Sequence, residues 1–213
     1  MSLHDIHTEL ERIYNAINKD FYDGKLPNAI ITTHSKRASI GDSYGWAAKD
    51  KWVDIDGEKY YELNISAEYL QRDIYDLVGT LSHEMVHIYC WENDIKDTSN
   101  QNRYHNKRFK SEAESRGLII EKAPTIGFSV TSVSDQYKEY IDSLGVKDVF
   151  NISRYDSEMA ADEDEKPKKR KKRPVYECPE CGTIVRGKPG LTILCGECEC
   201  AFEYKEFDKE EEE

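Results

Sequence analysis

The stretch QRDIYDLVGTLSHEMVHIYCWE, residues 71–92, decides how the rest of the chain is read. It holds no proline, and Gly79 is its only glycine, so nothing in it forbids one continuous helix. At about 100° per residue, Ile74, Leu77, Val78, Leu81, Met85, Ile88 and Tyr89 gather on one arc of about 120°. His83 and His87 project from the other side. The wheel predicts a helix that packs by one face and carries both histidines away from that core.

Residues four apart on a helix lie one turn above each other, so His83-Glu84-Met85-Val86-His87 aims two imidazoles at one point. This is the HExxH pattern, in which the glutamate reaches a water beside a zinc ion. Catalytic zinc takes three protein ligands and keeps one position for solvent, so a third ligand must come from elsewhere. His105 is the best placed. It opens an expected helix over 105–116, whose Phe109 and Ala113 would anchor it to the core. His4, His7 and His34 have no such setting, and Glu92, Asp94 and Glu112 are competing carboxylates. Glu84 is then the catalytic base that takes a proton from the attacking water. Tyr104, beside His105, is a further candidate to steady the oxyanion.

Upstream, Ile6, Leu10, Ile13, Tyr14, Ile17 and Phe21 repeat at helical spacing, and Asp23-Gly24 and Pro27 end that helix. Extended runs follow at 29–33, 43–48 and 60–66, with Asp56-Gly57 as a turn, and predict a small antiparallel sheet. Run 60–66 is the expected edge strand for pairing with an extended substrate. Downstream, Gly117 stands where a left-handed cap ends the third helix, followed by apolar Leu118. A short helix is expected over 132–144, closed by Gly145. The punctuated segment 121–131 between them is expected as a surface loop.

Composition bounds the rest. The 213 residues carry a net charge of −12, from 30 basic and 42 acidic side chains, so nucleic-acid contact would need a local patch. No apolar run approaches the roughly 18 residues of a membrane span, and the N-terminal stretch reads as a helix, not a secretory signal. Five of the six cysteines crowd between Cys178 and Cys200, which suits a metal site in a reducing compartment. A cytoplasmic location is expected, nuclear if the host is eukaryotic.

Cys178-Pro-Glu-Cys181 and Cys195-Gly-Glu-Cys198 are two knuckle pairs, and four thiolates from them close a structural zinc site. Cys200 competes with Cys198 and Cys195 for a place in it. Such a ribbon needs the metal to fold at this size. Before it runs an acidic block, 162–165, and a basic one containing Lys168, Lys169, Arg170, Lys171, Lys172 and Arg173. The basic run is either a solvated linker or a contact for DNA phosphates whose affinity falls with salt. Expected boundaries are a metallopeptidase domain over 1–156, a disordered charged linker over 157–173, the ribbon over 174–205 and an acidic tail over 206–213.

These residues together resemble the SprT-like metallopeptidases. The likeness begins with the first helix and Phe21-Tyr22-Asp23-Gly24-Lys25-Leu26-Pro27. It continues through Glu62-Leu63-Asn64-Ile65-Ser66, the HExxH segment from Ser82, and Tyr104-His105-Asn106-Lys107-Arg108-Phe109, with the cysteine module as a further shared feature. By that resemblance His83, His87 and His105 are zinc ligands, Glu84 is the base, and the core is an α+β zincin-like fold. In the family a glycine often follows the third histidine, where Asn106 stands here. The resemblance implies a protein substrate associated with DNA, while the two motifs themselves predict one catalytic and one structural zinc, with the basic run and the ribbon as the expected contact for DNA. The rival reading is a non-proteolytic scaffold whose ribbon binds nucleic acid or a protein partner.

Overall fold

Residues 2–36, 43–100, 102–155 and 174–205 are described by a computed structural model, in two units that divide between Asp156 and Ser157. The expected linker 157–173, its run Lys168 to Arg173, and the tail 206–213 lie outside the described residues. Among those described, no helix is long and apolar enough to cross a membrane.

In the first unit, helix α1 (Leu3–Tyr22) opens with a capping box. The Asp5 backbone N–H donates to the Ser2 hydroxyl, and the Asp5 carboxylate accepts the Ser2 N–H at 2.8 Å. Its buried face is Ile6, Leu10, Ile13, Tyr14 and Ile17, as the periodicity predicts. Asp23 ends it in the left-handed region at φ 54°. Asn18 then holds the exit by hydrogen bonds to both the N–H and the C=O of Leu26, which steers the chain into the first strand.

Strands β1 (Ala29–Thr32), β2 (Gly45–Val53) and β3 (Lys59–Ile65) form a sheet in the order β1-β3-β2. β1 runs parallel to β3 and β2 antiparallel, so the sheet is mixed where an antiparallel one was expected. The run predicted as an edge is therefore the centre of the sheet. Its residues Tyr61 to Ile65 are all buried, because a middle strand is covered along both sides. Among the described residues β2 pairs only with β3, and it is β2 that lies against the HExxH helix.

That helix, α2, spans Ile74–Glu92 and starts three residues later than expected, since the Asp73 side chain caps it by accepting the Tyr75 N–H at 2.9 Å. Gly79 lies where the strand carrying Val133 crosses the helix closely, so that a Cβ there would stand 3.3 Å from Val133 Cγ1. Helix α3 (Lys107–Glu114) begins after His105, with Asn106 as the cap for the N–H groups of Arg108 and Phe109.

The second sheet runs β4 (Thr98–Ser99), β5 (Tyr104–His105), β7 (Gly127–Val133), β6 (Leu118–Ala123). The segment expected as a surface loop is thus mostly the β6–β7 hairpin. Its inward residues Leu118, Ile120 and Val133 are buried while Ile119 and Val130 face out, a period of two that the Pro124 to Gly127 turn interrupts. Helix α4 (Asp135–Ser143) is capped by Ser134, and Tyr137 reaches the Ser82 hydroxyl of α2 at 2.8 Å. The first unit is accordingly mixed α+β, two small sheets packed with four helices.

The second unit is a three-stranded antiparallel sheet, β10 (Glu203–Lys205), β8 (Val175–Glu177), β9 (Ile184–Arg186), with Tyr176 buried at its centre.

Phe109 is fully buried and joins α3 to α2. Phe109→Ala should cost about 3–5 kcal/mol, read as a fall in melting temperature on the order of 10 °C.

Candidate metal centres

Two elements bring the histidines together. His83 and His87 come from successive turns of α2, and His105 from the end of β5. The His105 Nε2 stands 3.2 Å from His83 Nε2 and 3.1 Å from His87 Nε2. Beneath them lies the Phe109 ring, with centroids 4.5, 4.7 and 4.8 Å from those of His83, His87 and His105. His83 and His87 are only 9% and 8% exposed, so the helix face expected to look away from a core is covered as well. The cover is Phe109 and the β6–β7 hairpin, neither of which the helical wheel of α2 can register.

Each imidazole is held by its other nitrogen. His87 Nδ1–H donates to the buried carboxylate of Asp97, and His105 Nδ1–H donates to the Ile126 carbonyl at 3.2 Å. His83 Nδ1 meets the Thr131 hydroxyl at 2.7 Å. A neutral imidazole that donates through Nδ1 has a bare lone pair on Nε2. Burial, with the neighbouring histidines, holds His83 well below its ordinary pKa and His105 at about 4, which favours the neutral rings. Lone pairs facing one another across 3.1 Å repel unless a cation lies among them. The spacing suits one: nitrogens bound tetrahedrally at about 2.0–2.1 Å stand roughly 3.3 Å apart. The donor set and geometry fit zinc.

Glu84 sits beside this cluster, nearly buried, with its carboxylate accepting the backbone N–H of Ala47 on β2. Burial raises its pKa to about 7. The close approach of β2 depends on Gly45, where a Cβ would come within 2.8 Å of both the Asn64 carbonyl and Thr80 Cγ2.

Other candidates are placed elsewhere. Glu92 accepts the Tyr61 hydroxyl, Glu112 pairs with Arg116 at 2.9 Å, and Cys90 is buried in the core. His34 faces Glu62 at 3.5 Å, whereas Tyr104 stays beside His105 on β5, its ring against Gly127. Among the described residues, the only histidines grouped as a metal site are His83, His87 and His105.

Four residues that hold the cluster escape sequence reasoning. Asp97, Thr131 and the Ile126 carbonyl act only through their place in the fold. Gly127 carried a visible sign as a turn glycine, though not its purpose. At φ +73°, a Cβ there would stand 2.2 Å from the His105 carbonyl oxygen, so only glycine lets β5 lie against β7 and present His105.

In the second unit the Sγ atoms of Cys178, Cys181, Cys195 and Cys198 lie within 4.8 Å of one another. Cys181 and Cys195 stand 3.8 Å apart, the separation of about 3.8 Å that tetrahedral zinc–sulfur bonds of about 2.3 Å impose. This set fits a closed structural site, and the group does not include Cys200.

The chain is thus an α+β protein with, among the described residues, one three-histidine and one four-cysteine cluster suited to metal. The model of the SprT-like family matches residues 10–125, more than half of the 213, and the chain belongs to that family. Comparison with curated proteins and with solved structures gives no match.

Two substitutions test the histidine cluster. Asp97→Ala should weaken zinc at that site by about 10–100-fold, since His87 loses the group that orients it. Gly127→Val should weaken it at least as much by displacing His105. Titration against a competing chelator reads both, and the four-cysteine site should hold its ion unchanged in each.

Proposed function

We propose that this chain is a zinc-dependent endopeptidase with a zincin-like core. The observation that carries the reading is the convergence of the His83, His87 and His105 Nε2 atoms beside a buried carboxylate, Glu84, on a chain of the SprT-like family. A zinc ion held by those nitrogens would polarise a water molecule and the carbonyl of a peptide bond.

The chain's own residues do the remaining work. Glu84 takes a proton from the attacking water and later delivers one to the departing amine. One carboxyl can perform both duties in turn, as base while ionised and as acid once it holds that proton. The Ala47 N–H fixes which way that carboxylate turns. Asp97, Thr131 and the Ile126 carbonyl keep the three imidazoles aimed at one point, and Phe109 closes the floor against water.

β2 holds the substrate. It is the strand that lies against α2 at Thr80 and Glu84, and no described strand covers its outer edge. An extended segment of substrate protein pairs with that edge, which places successive peptide bonds past Glu84. Proteins associated with DNA are the proposed targets, brought close by the run Lys168 to Arg173.

Glu84→Gln should keep both metals bound and lower cleavage of an unfolded protein by about 10²–10⁴-fold. Equal proteolysis by variant and parent would remove Glu84 as the base. If the parent is itself inert, with and without single-stranded DNA, yet binds that DNA tightly, the scaffold reading replaces the peptidase. Zinc content supplies a separate check: two ions per full chain should fall to one when the chain ends at Arg173. One falling to none would leave the histidine cluster without metal.

A further inference from the structure

The two cysteine knuckles are built alike, and the likeness separates Cys200 from the zinc ligands. In the first, the Cys178 N–H donates to the Thr183 carbonyl at 2.9 Å and the Gly182 N–H donates to the Cys178 carbonyl at 3.0 Å. In the second, the Cys195 N–H donates to the Cys200 carbonyl at 2.8 Å and the Glu199 N–H donates to the Cys195 carbonyl at 2.9 Å. Gly182 and Glu199 both take left-handed backbone, at φ 69° and 52°. Position by position, Cys178 matches Cys195, Cys181 matches Cys198, and Thr183 matches Cys200.

Cys198 therefore holds a ligand's place and Cys200 the place of a threonine. Thr183 sets its hydroxyl 3.1 Å from Cys181 Sγ. Cys200 instead sets its thiol 3.6 Å from the Sγ of Cys178 in the opposite knuckle. The fold thus puts a fifth, partly exposed thiol in contact with a buried sulfur of the closed site. A disulfide needs about 2.05 Å between sulfurs, so bonding this pair asks for roughly 1.5 Å of approach.

We propose that Cys200 is a site of reversible oxidation by hydroperoxides, which joins it to Cys178 and opens the four-cysteine metal site. The Cys200 sulfur takes one oxygen from the hydroperoxide, giving a sulfenic acid and, from hydrogen peroxide, one water. The Cys178 sulfur then attacks the Cys200 sulfur. The S–S bond forms, the S–O bond breaks, and the oxygen leaves as a second water, with the sulfenic acid's own proton and one from solvent, since a zinc-bound Cys178 thiolate carries none. Two electrons pass from the pair of sulfurs to the peroxide. The cluster is left with three thiolates and releases its ion, and an external dithiol reverses the change. With threonine at the matching position, the first knuckle has no sulfur for this reaction.

The test uses the full zinc-loaded chain with unbound metal removed. Hydrogen peroxide is added, released zinc is followed with a chromogenic chelator, and disulfides are located by peptide mass mapping. The parent should lose one zinc per chain with a Cys178–Cys200 linkage, and regain the capacity for it after a dithiol. Cys200→Thr should begin with the same zinc content and release it about tenfold more slowly or less. Three results would overturn the proposal: equal release rates, a disulfide at another pair, or a Cys200→Thr chain that lacks the ribbon zinc before any peroxide. The last would make Cys200 a ligand.

Discussion

Three imidazole nitrogens converge on one point, with His105 Nε2 3.2 and 3.1 Å from those of His83 and His87, an arrangement that a cation among them would stabilise. Each ring is half of a polar group withdrawn from water, and such groups persist only when every polar atom has a partner. Here the Nδ1 atoms find theirs in Asp97, Ile126 and Thr131, which leaves the three Nε2 atoms with only each other. The segments between Lys96 and Val133 hold the three rings in place. Asn106 accepts nothing from the site, yet its side chain donates to the Lys96 carbonyl at 2.7 Å and its backbone N–H to the Asp97 carbonyl at 3.0 Å. This ties the segment carrying His105 to the segment carrying Asp97. The β6–β7 hairpin supplies the rest, holding two of the three rings and passing Val133 across Gly79.

That hairpin marks the limit of what was legible in the amino-acid sequence. The HExxH helix, its apolar arc, the first helix and the glycine caps were readable because local spacing dictates them. Gly117 and Gly145 both take positive φ where caps were expected. The hairpin was hidden by its own turn: Pro124 and Gly127 read as loop punctuation, and Ile119 and Val130 face outward, which blurs the alternation. One misreading then produced another. With no strand assigned to 127–133, nothing was available to cover the histidine side of α2, and the wheel left His83 and His87 facing outward. The strand order failed for a different reason. β1 and β3 pair in parallel with β2 between them in the chain, a relation between distant segments that local alternation does not encode.

The four-cysteine site shows the opposite balance. Paired CxxC knuckles announce a metal site by spacing alone, and the sulfurs stand where the spacing puts them. What spacing leaves open is which of Cys195, Cys198 and Cys200 serve. The backbone decides it, because a knuckle needs a left-handed residue one position after its second cysteine. Gly182 meets that need after Cys181 and Glu199 after Cys198. A left-handed glutamate carries a cost that glycine does not, on the order of 1 kcal/mol. The second knuckle bears it.

The two clusters also differ in what they leave free, and that difference follows from who supplies the donors. Four thiolates from two knuckles surround an ion completely, so the C-terminal site has room for structure and none for a reactant. Three imidazoles occupy one side of an ion and leave the other to whatever lies opposite. On α2 the side chain one residue beyond His83 is Glu84, and the backbone that meets it belongs to β2 through Ala47. β2 approaches so closely only because Gly45 has no side chain, and its outer backbone groups face no described strand. In the proposed peptidase the same strand would orient the proton carrier and offer the edge on which an extended chain would lie. A displacement of β2 would disturb binding and proton transfer together, which makes Gly45 as much a part of the site as the histidines.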